Sequence, residues 1–443
     1  MTPPSAHQNA ALTAPINLVT TRPPWSQTFS SLKIRNYRIF ASANLLAVIA
    51  VWMQRVAQDW MVLELSGSVT AVGITVFMQF IPSLLLMPLG GILADRYSKR
   101  LILIISQSAA GILATLMAVL ALTGRLEVWH IYVIAFVLGL VVVADQPARQ
   151  VFVNELVGPR QLRNAISLNS SIFQMGGMIG PAVSGVLIMA VGGGWAFAVN
   201  ALACAVTVIS LTMIRTHELV KMPPVKRGKG QLMEGVRYAL RKPTIVFPAA
   251  MAAVFAVFGL SLAVLMAAYA NTVFDAGAGG YGLLNTLVAL GALGGALAST
   301  RFATLRLRGV MSAAGAYGVV LMLAAFAPSM ATFGAVMVVA GFASLLFLTS
   351  ANQLVQMSTN VLIRGRVMSL YIMVLIGGQA LGGPLMGWLA EHWGVQWAML
   401  LAGGVTVLAA AVIALVLAKR GQLALKVNLR SPRQLVFIVP KAG

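Results

Sequence analysis

Long apolar runs separated by short polar connectors dominate the chain from residue 39 to residue 418. Twelve of these runs are long enough to cross a bilayer as helices, because a spanning helix needs about 20 mostly apolar residues. The pattern predicts an all-α integral membrane protein with twelve transmembrane helices. The predicted spans are 39–65, 69–94, 101–124, 130–152, 164–191, 195–214, 244–274, 280–302, 310–328, 331–357, 367–389 and 394–418.

The predicted spans fall into two groups of six. The first group occupies residues 38–214 and the second 244–418, with a basic linker at 215–243. The linker string QLMEGVRYALRK fits either a short interfacial amphipathic helix or a plain solvated segment. Residues 1–37 are expected to form a flexible cytoplasmic tail, because they lack the apolar core of a signal peptide. Residues 419–443 are expected to form a basic tail that is too short and too charged to span.

A weak internal repeat relates the two groups. The string ARQ at 148–150 precedes Gly180 at nearly the same spacing as ANQ at 351–353 precedes Gly383. Parallel six-helix repeats are a known transporter architecture, in which the substrate site lies near the midplane between the halves.

The amino-acid composition excludes several classes of protein. The chain is 59% hydrophobic and 9% charged, which excludes a soluble enzyme and a disordered chain. Its 31 Lys and Arg against 10 Asp and Glu favour anionic lipids rather than nucleic acid as partners, because the charges sit in connectors. Arg125 alone lies in a connector of the opposite face and Arg55 alone lies mid-span. The positive-inside rule therefore places both termini in the cytoplasm.

Residues for metal, redox or ATP chemistry are scarce. The only cysteine is Cys204, the four histidines lack metal-ligand spacing, and the chain contains no GxxxxGK[ST] string. We therefore expect no metal, no cofactor, no catalytic residues and no enzymatic activity.

The connector after the second span reads GGILADRYSKR and contains Gly91, Asp95, Arg96, Lys99 and Arg100. Gly91 is expected to allow close helix approach. The string resembles the signature loop of the major facilitator superfamily, with Ser where the family usually has Gly. The resemblance implies a cytoplasmic conformational latch of these five residues, in which Asp145 pairs with basic residues such as Arg96. The second half has GGALASTRF in the same place, without the acid.

The fifth span contains Gly176, Gly180, Pro181 and Gly185 in the string GGMIGPAVSGVL. It resembles the antiporter motif of exporters in the superfamily, or it is a generic small-residue packing face. The first-span string AVWMQRVAQDWMVLELSGS, together with DQPARQVF, NAISLNSSIF and RGRVMSLY, resembles the transmembrane secretion effector branch, which includes siderophore exporters and macrolide efflux pumps. The fourth span lacks the mid-span Arg of related proton-coupled drug exporters, which puts proton coupling by that route in doubt.

Charges inside the membrane are expensive and are functional candidates by default. Arg55 and Asp59 are four residues apart in the first span and are expected to pair on one face, with Gln58 beside them. Either Asp59 carries a proton or meets a cationic substrate while Arg55 tunes it or binds an anion, or the two form a structural ion pair. Neutral polar residues predicted to line the cavity are Asn44, Gln79, Asn169, Gln174, Asn352, Tyr371 and Gln379.

The sequence as a whole predicts a monomeric secondary active transporter that works by alternating access. The resemblance implies export of a siderophore or an amphipathic drug in exchange for protons. The alternatives are a nutrient uptake permease, a metal-ion exporter and a non-transporting membrane sensor or scaffold.

Overall fold

The computed structural model describes residues 30–220, 231–240, 242–299, 307–360, 363–420, 423–427 and 436–440. Within these residues, twelve helices are long and apolar enough to cross a membrane, so the predicted number of spans is confirmed. The expectations for residues 1–29 and for 221–230 of the linker lie outside the described residues.

The first half contains α1 to α6, a short helix α7 follows in the linker, and the second half contains α8 to α13. The bounds are α1 Arg35–Ser66, α2 Val69–Arg96, α3 Lys99–Leu122, α4 Val128–Gly158, α5 Arg160–Val191, α6 Gly194–Thr212, α7 Gln231–Leu240, α8 Pro243–Val273, α9 Gly277–Ser299, α10 Leu307–Ala324, α11 Met330–Ser358, α12 Arg364–Trp393 and α13 Val395–Arg420.

Glycines mark the junction of two helices and the interruption of a third. Helices α4 and α5 follow each other through Gly158, whose φ of 64° and ψ of 177° are not helical. A positive φ of this kind favours glycine because it has no Cβ. Helix α8 is interrupted after Phe258 and resumes at Leu262. The hydroxyl of Tyr317 donates to the carbonyl of Gly259 at 2.8 Å, which satisfies a backbone acceptor at the interruption.

The end of the N-terminal tail is folded onto the first half. Ser30–Lys33 forms a 3-10 helix, and the hydroxyls of Ser30 and Ser31 donate to Gln161 and Asn164 on α5, at 2.8 and 2.6 Å. The prediction of a flexible tail up to residue 37 is therefore wrong for residues 30–37. The partners lie about 130 residues away along the chain, beyond the reach of local sequence patterns.

Helix α7 occupies the part of the linker where the pattern allows an amphipathic helix. Its Tyr238 hydroxyl accepts hydrogen bonds from the backbone N–H of Asn360, at 3.1 Å, and from the Lys242 ammonium, at 2.6 Å. The Lys242 bond lowers the pKa of Tyr238. Lys242 also donates to the carbonyl of Ser358, so α7 is attached to the second half at the end of α11.

The part of the C-terminal tail that the structure describes forms a short hairpin. Strands β1 (Leu423–Val427) and β2 (Val436–Pro440) pair antiparallel, with Leu423 opposite Pro440. The membrane part is all-α as predicted, and the sequence analysis did not anticipate this extramembrane hairpin.

The two halves meet through glycine-rich faces. Helix α2 packs on α12, where Gly73 faces the backbone of Gly383, and α5 packs on α9, where Gly185 faces Gly282. We name the end of the molecule where α1 begins the basic end, and the end where α1 stops the opposite end. The Gly73 and Gly185 contacts lie in the part of the molecule next to the opposite end.

Candidate functional site

One face of α1 points toward the second half of the molecule. Trp52 lies beside Gly180 of α5, and Arg55 donates to Gln79 of α2. Because α2 and α5 make the main contacts of the first half with the second half, the face of α1 between them is directed at the interface. Val51, one turn nearer the basic end than Arg55, is 53% exposed. This face therefore changes from exposed near the basic end to closed near the opposite end.

Asp59 forms a hydrogen bond between the two halves. Its carboxylate accepts from the hydroxyl of Tyr281 on α9, at 3.0 Å. Asp59 is 5% exposed and Tyr281 is fully buried. The Tyr281 ring also stacks on Trp60, with centroids 6.4 Å apart. The carboxylate is thus enclosed at the interface and satisfied by a neutral donor from the other half.

Arg55 has a different environment from the predicted one. Its guanidinium lies over the rings of Trp52 and Phe80, at 5.4 and 5.1 Å from their centroids, and donates to the Gln79 amide oxygen at 3.3 Å. Arg55 and Asp59 make no ion pair within 4.0 Å among the described residues, so the predicted direct contact is absent, although their opposite charges still interact one turn apart. The partners that separate the two side chains come from α2 and α9, which helical spacing along α1 does not reveal.

Gln58 lies within the packed first half. It is 2% exposed, and its amide nitrogen has no hydrogen-bond partner among the described residues. One turn earlier, buried Gln54 accepts a hydrogen bond from Asn200 of α6. Gln54 was missed by sequence reasoning, although its amide lies in an apolar run.

A buried ion pair connects residues inside α4. Arg149 donates to Asp145 through Nε at 2.8 Å, and Gln107 of α3 donates to the same carboxylate at 3.1 Å. The resemblance implied Arg96 as a partner of Asp145, but its ion-pair partner among the described residues is Arg149. Asp145 and Arg149 are four residues apart on α4, so their side chains lie next to each other on one face of the helix. Arg96 lies at the end of a different helix.

Two predicted cavity residues extend this network across the first half. Asn44 of α1 donates to Asn169 of α5 at 2.9 Å and accepts from Arg149 at 2.9 Å. Asn44 is buried, so these amides bind helices α1, α4 and α5 together.

The other predicted cavity residues lie on several helices. Gln79 of α2 is the acceptor for Arg55, and Gln174 of α5 is half-buried. In the second half, Asn352 accepts from Gln356 on its own helix, Gln379 is half-buried, and the buried Tyr371 hydroxyl has no partner among the described residues. Of the predicted cavity residues, only Gln79 is hydrogen-bonded to Arg55 or Asp59 within the part of the chain that the structure describes.

The predicted latch residues lie at the basic end. Asp95 and Arg96 are exposed at the end of α2, and Lys99 pairs with Glu155 of α4 at 3.4 Å. Arg100 donates to the carbonyls of Leu211 and Thr212, at 2.7 and 2.9 Å. Lys99 and Arg100 therefore connect helices within the first half, and Arg100 binds the carboxyl end of α6, where a cation is favoured.

Near the latch, Gly90 of α2 is the residue at which α2 and α4 approach most closely in this region. A Cβ added to Gly90 would collide with the carbonyl of Val143 on α4. Gly91, the residue that the motif suggests for this role, is half-buried. The helix phase decides which member of a GG pair faces the neighbour, and the sequence alone does not set that phase.

The exporter-like motif packs onto both halves. Gly176 faces Val48 and Gly180 faces Trp52, both on α1. Gly185 faces Gly282 of α9, and the carbonyl of Pro181 also lies against that glycine. The motif therefore supplies the surface on which α1 and α9 approach α5.

Glu391 closes the opposite end and was missed by sequence reasoning. At the end of α12, it accepts from the hydroxyl of Ser68 at 2.7 Å and from the backbone N–H of Thr70 at 3.0 Å. Ser68 is the N-cap of α2, so a carboxylate of the second half binds the first turn of a first-half helix. The available signal was an acid at the end of a span, opposite a serine at the start of another.

Two further observations on the described residues concern where a metal ion or a ligand is able to bind. No group of three or more His, Cys, Asp or Glu in this part of the chain could hold a metal ion. A groove of about 670 Å³ lies between α3 and α6, lined among others by Gly111, Ile112 and Ile209. Ile112 and Ile209 are exposed on helices that span the membrane, so this groove faces the lipid rather than the interface.

Two six-helix halves, a glycine-rich interface and a carboxylate enclosed between the halves define a secondary transporter of the major facilitator type. The family model described as transmembrane secretion effector matches residues 26–438, and the chain belongs to that family. It is a multi-pass membrane protein and a transporter rather than an enzyme.

Relatives with assigned functions include siderophore transporters. The chain is 25% identical to the enterobactin exporter EntS of Salmonella typhimurium over 371 residues, which cover 83% of this chain and 88% of that protein. It is 27% identical to the staphyloferrin A transporter of Staphylococcus aureus over 152 residues, covering 34% and 38% of the two chains.

Solved structures share the fold. A bacterial homolog of the human lysosomal transporter Spinster, inward-facing and unoccupied, matches with a TM-score of 0.69 at 17% identity, covering 89% of this chain and 97% of that one. The nucleoside transporter NupG also matches with a TM-score of 0.69, at 13% identity, covering 86% and 99%.

Proposed function

We propose that this protein exports a small organic molecule, a siderophore or an amphipathic drug, by alternating access in exchange for protons. The observation that carries the proposal is the Asp59–Tyr281 hydrogen bond, which joins a membrane-embedded carboxylate to the other half of the molecule. The assignment of the exporter EntS, which aligns over 83% of this chain, supports the substrate class and the direction.

Asp59 is placed so that its access to water changes with the conformation. With the opposite end closed, the carboxylate is enclosed and accepts a bond from Tyr281. When the halves separate at that end, α9 moves away from α1, the bond breaks and Asp59 meets water on that side. A proton taken up there neutralises the charge and allows the halves to close again. Reopening toward the basic end then releases the proton along the face of α1 that leads past Arg55 to the exposed Val51, and the deprotonated Asp59 returns to its enclosed position beside Tyr281.

The positive-inside rule orients the proposed cycle. Lys33, Arg35, Arg38, Arg96 and Arg100 lie at the basic end, whereas Arg125 lies in a connector of the opposite end. We therefore place the basic end and both termini in the cytoplasm of a bacterial inner membrane. Protons then enter from the opposite end while substrate leaves through it. We further expect the protein to work as a monomer surrounded by anionic lipids.

The test replaces Asp59 by Asn, which preserves shape and removes the titratable charge. Deletion strains carrying wild type, Asp59→Asn or the control Glu64→Gln are grown iron-starved, and supernatants and cell extracts are compared by untargeted mass spectrometry. We expect a compound that the wild type and Glu64→Gln release and that Asp59→Asn retains in the cells. Glu64 lies on the same helix but is exposed near its end.

Two results would contradict the proposal. Export by Asp59→Asn at the wild-type level would remove the proton-carrying role. A compound that the wild type accumulates inside the cells would reverse the direction and favour an uptake permease.

A further inference from the structure

Arg55 is a membrane-embedded cation that makes no ion pair within 4.0 Å among the described residues, although the charge of Asp59 one turn away still acts on it. Asp59, its nearest acid along α1, is held by Tyr281 instead. The hydrogen bond to Gln79 uses one of the five N–H donors of the guanidinium. An embedded arginine is costly unless it meets an anion or a water-filled cavity. The remaining N–H donors of Arg55 have no hydrogen-bond partner among the described residues and are available to a ligand.

Aromatic rings on two helices contact the guanidinium, and a ring on a third helix extends this cluster. Trp52 of α1 and Phe80 of α2 lie under Arg55, and Phe173 of α5 meets the Trp52 ring edge-on, with centroids 5.7 Å apart. Phe173 is 52% exposed although it lies on a helix at the interface. An exposed aromatic surface beside a cation provides stacking area and charge in one place.

We propose that Arg55, Gln79, Trp52, Phe80 and Phe173 form a binding site for an oxyanion attached to a flat aromatic group. The guanidinium binds the oxyanion through paired N–H donors, while the rings contact the aromatic part of the ligand. Gln79 holds the guanidinium in place through its amide oxygen. The inference deepens the proposed export function and rests on it, because the site assigns a class of substrate to that same interface.

The location of the site agrees with this role. Arg55 lies one helical turn, about 6 Å along the axis, from the Asp59 contact that closes the interface. Val51, one turn on the other side, is exposed. The site thus lies where the open part of the interface ends, and a ligand entering from the basic end reaches it before the closed part.

The experiment compares two dyes that share one ring system. Anilinonaphthalene sulfonate has a sulfonate that the neutral N-phenylnaphthylamine lacks. Their dissociation constants are measured by equilibrium dialysis against the full chain in lipid nanodiscs, after subtraction of empty nanodiscs. We expect the wild type to bind the sulfonate at least about tenfold more tightly, since a hydrogen bond to a charged group contributes that much.

Substitutions separate the charge from the rings. Arg55→Gln should abolish the sulfonate preference, and Arg55→Lys should retain part of it. Phe173→Leu should weaken binding of both dyes while leaving their ratio unchanged. The matched control is Arg125→Gln, an exposed arginine in a connector, which should leave both constants unchanged.

The outcomes distinguish this inference from the export proposal. A wild type without sulfonate preference, or an Arg55→Gln protein that keeps it, would overturn the site. Because the assay has no proton gradient, it measures binding without testing whether Asp59 carries the transported proton. Suppose that Arg55→Gln loses the preference for the sulfonate dye while Asp59→Asn exports normally. This result would support the oxyanion site at Arg55 and reject proton coupling through Asp59.

Discussion

At Arg55 and Asp59 the two charges of the first span have separate partners. Asp59 accepts from Tyr281 of the other half, and Arg55 remains with Gln79 and aromatic rings of its own half. Breaking the interface therefore changes the environment of the acid while leaving the contacts of the base intact. This division allows one residue to respond to conformation and the other to hold a ligand.

Replacing Tyr281 by Phe removes the hydroxyl donor and keeps the ring that stacks on Trp60. Loss of a hydrogen bond to a charged group weakens the closed opposite end by about 1.5–3 kcal/mol. We expect faster maleimide labelling of a cysteine introduced at Ser68, in a Cys204→Ala background.

Tyr317→Phe is the matched control for this measurement. Tyr317 is also a buried tyrosine, but its hydroxyl donates to Gly259 within the second half. Equal labelling rates in Tyr281→Phe and the unsubstituted background would show that the bond does not hold the interface.

At the scale of helices, backbone approach between α2 and α12 and between α5 and α9 closes the opposite end. The approach requires Gly73, Gly185, Gly282 and Gly383, since a Cβ at these positions meets the facing backbone. Sequence patterns located Gly185 in the exporter-like motif but gave no reason to pair it with Gly282. The pairing depends on how two distant helices are oriented, which helical periodicity does not contain.

Gly73→Val tests this view of the interface. The valine side chain would overlap the carbonyl of Gly383, so the opposite end cannot close fully and export should be lost. Gly404→Val is the control, because nothing lies within 4 Å of a Cβ at that helical position. Export that survives in Gly73→Val as well as in Gly404→Val would refute a role for this close contact.

At the scale of the whole molecule, the number of spans and the two-half arrangement follow from apolar run lengths, which local composition records directly. Most contacts between the halves do not follow from run lengths, because they join residues that are far apart along the chain. Glu391 binds Ser68 and Thr70 more than 300 residues away along the chain, and Asp59 meets Tyr281 across 222 residues. The sequence identified Asp59 because a charge in an apolar run is visible, whereas Glu391 at a span end resembles an ordinary surface acid.

Glu391→Gln should loosen the closed opposite end of the whole transporter. The amide keeps the shape but replaces two charge-assisted hydrogen bonds by neutral ones of about half the strength. Pulsed EPR between spin labels at Arg125 and Phe326, in connectors of the two halves, should show a larger population at long distance. Glu64→Gln, another exposed acid near that end, should leave the distribution unchanged, and a shift of equal size there would argue against a specific role for Glu391.

The contacts around Glu391 also bear on the ionic strength that the transporter tolerates. Closure of the opposite end rests on glycine backbone contacts and on hydrogen bonds from the uncharged donors Ser68, Thr70 and Tyr281. At 0.1 M, dissolved salt largely screens exposed charges that lie more than about 10 Å apart, but it acts far less on close packing and on short bonds to neutral donors. The resting closed state should therefore hold in dilute and in saline surroundings alike, so that swings in external salinity do not leave the membrane leaky.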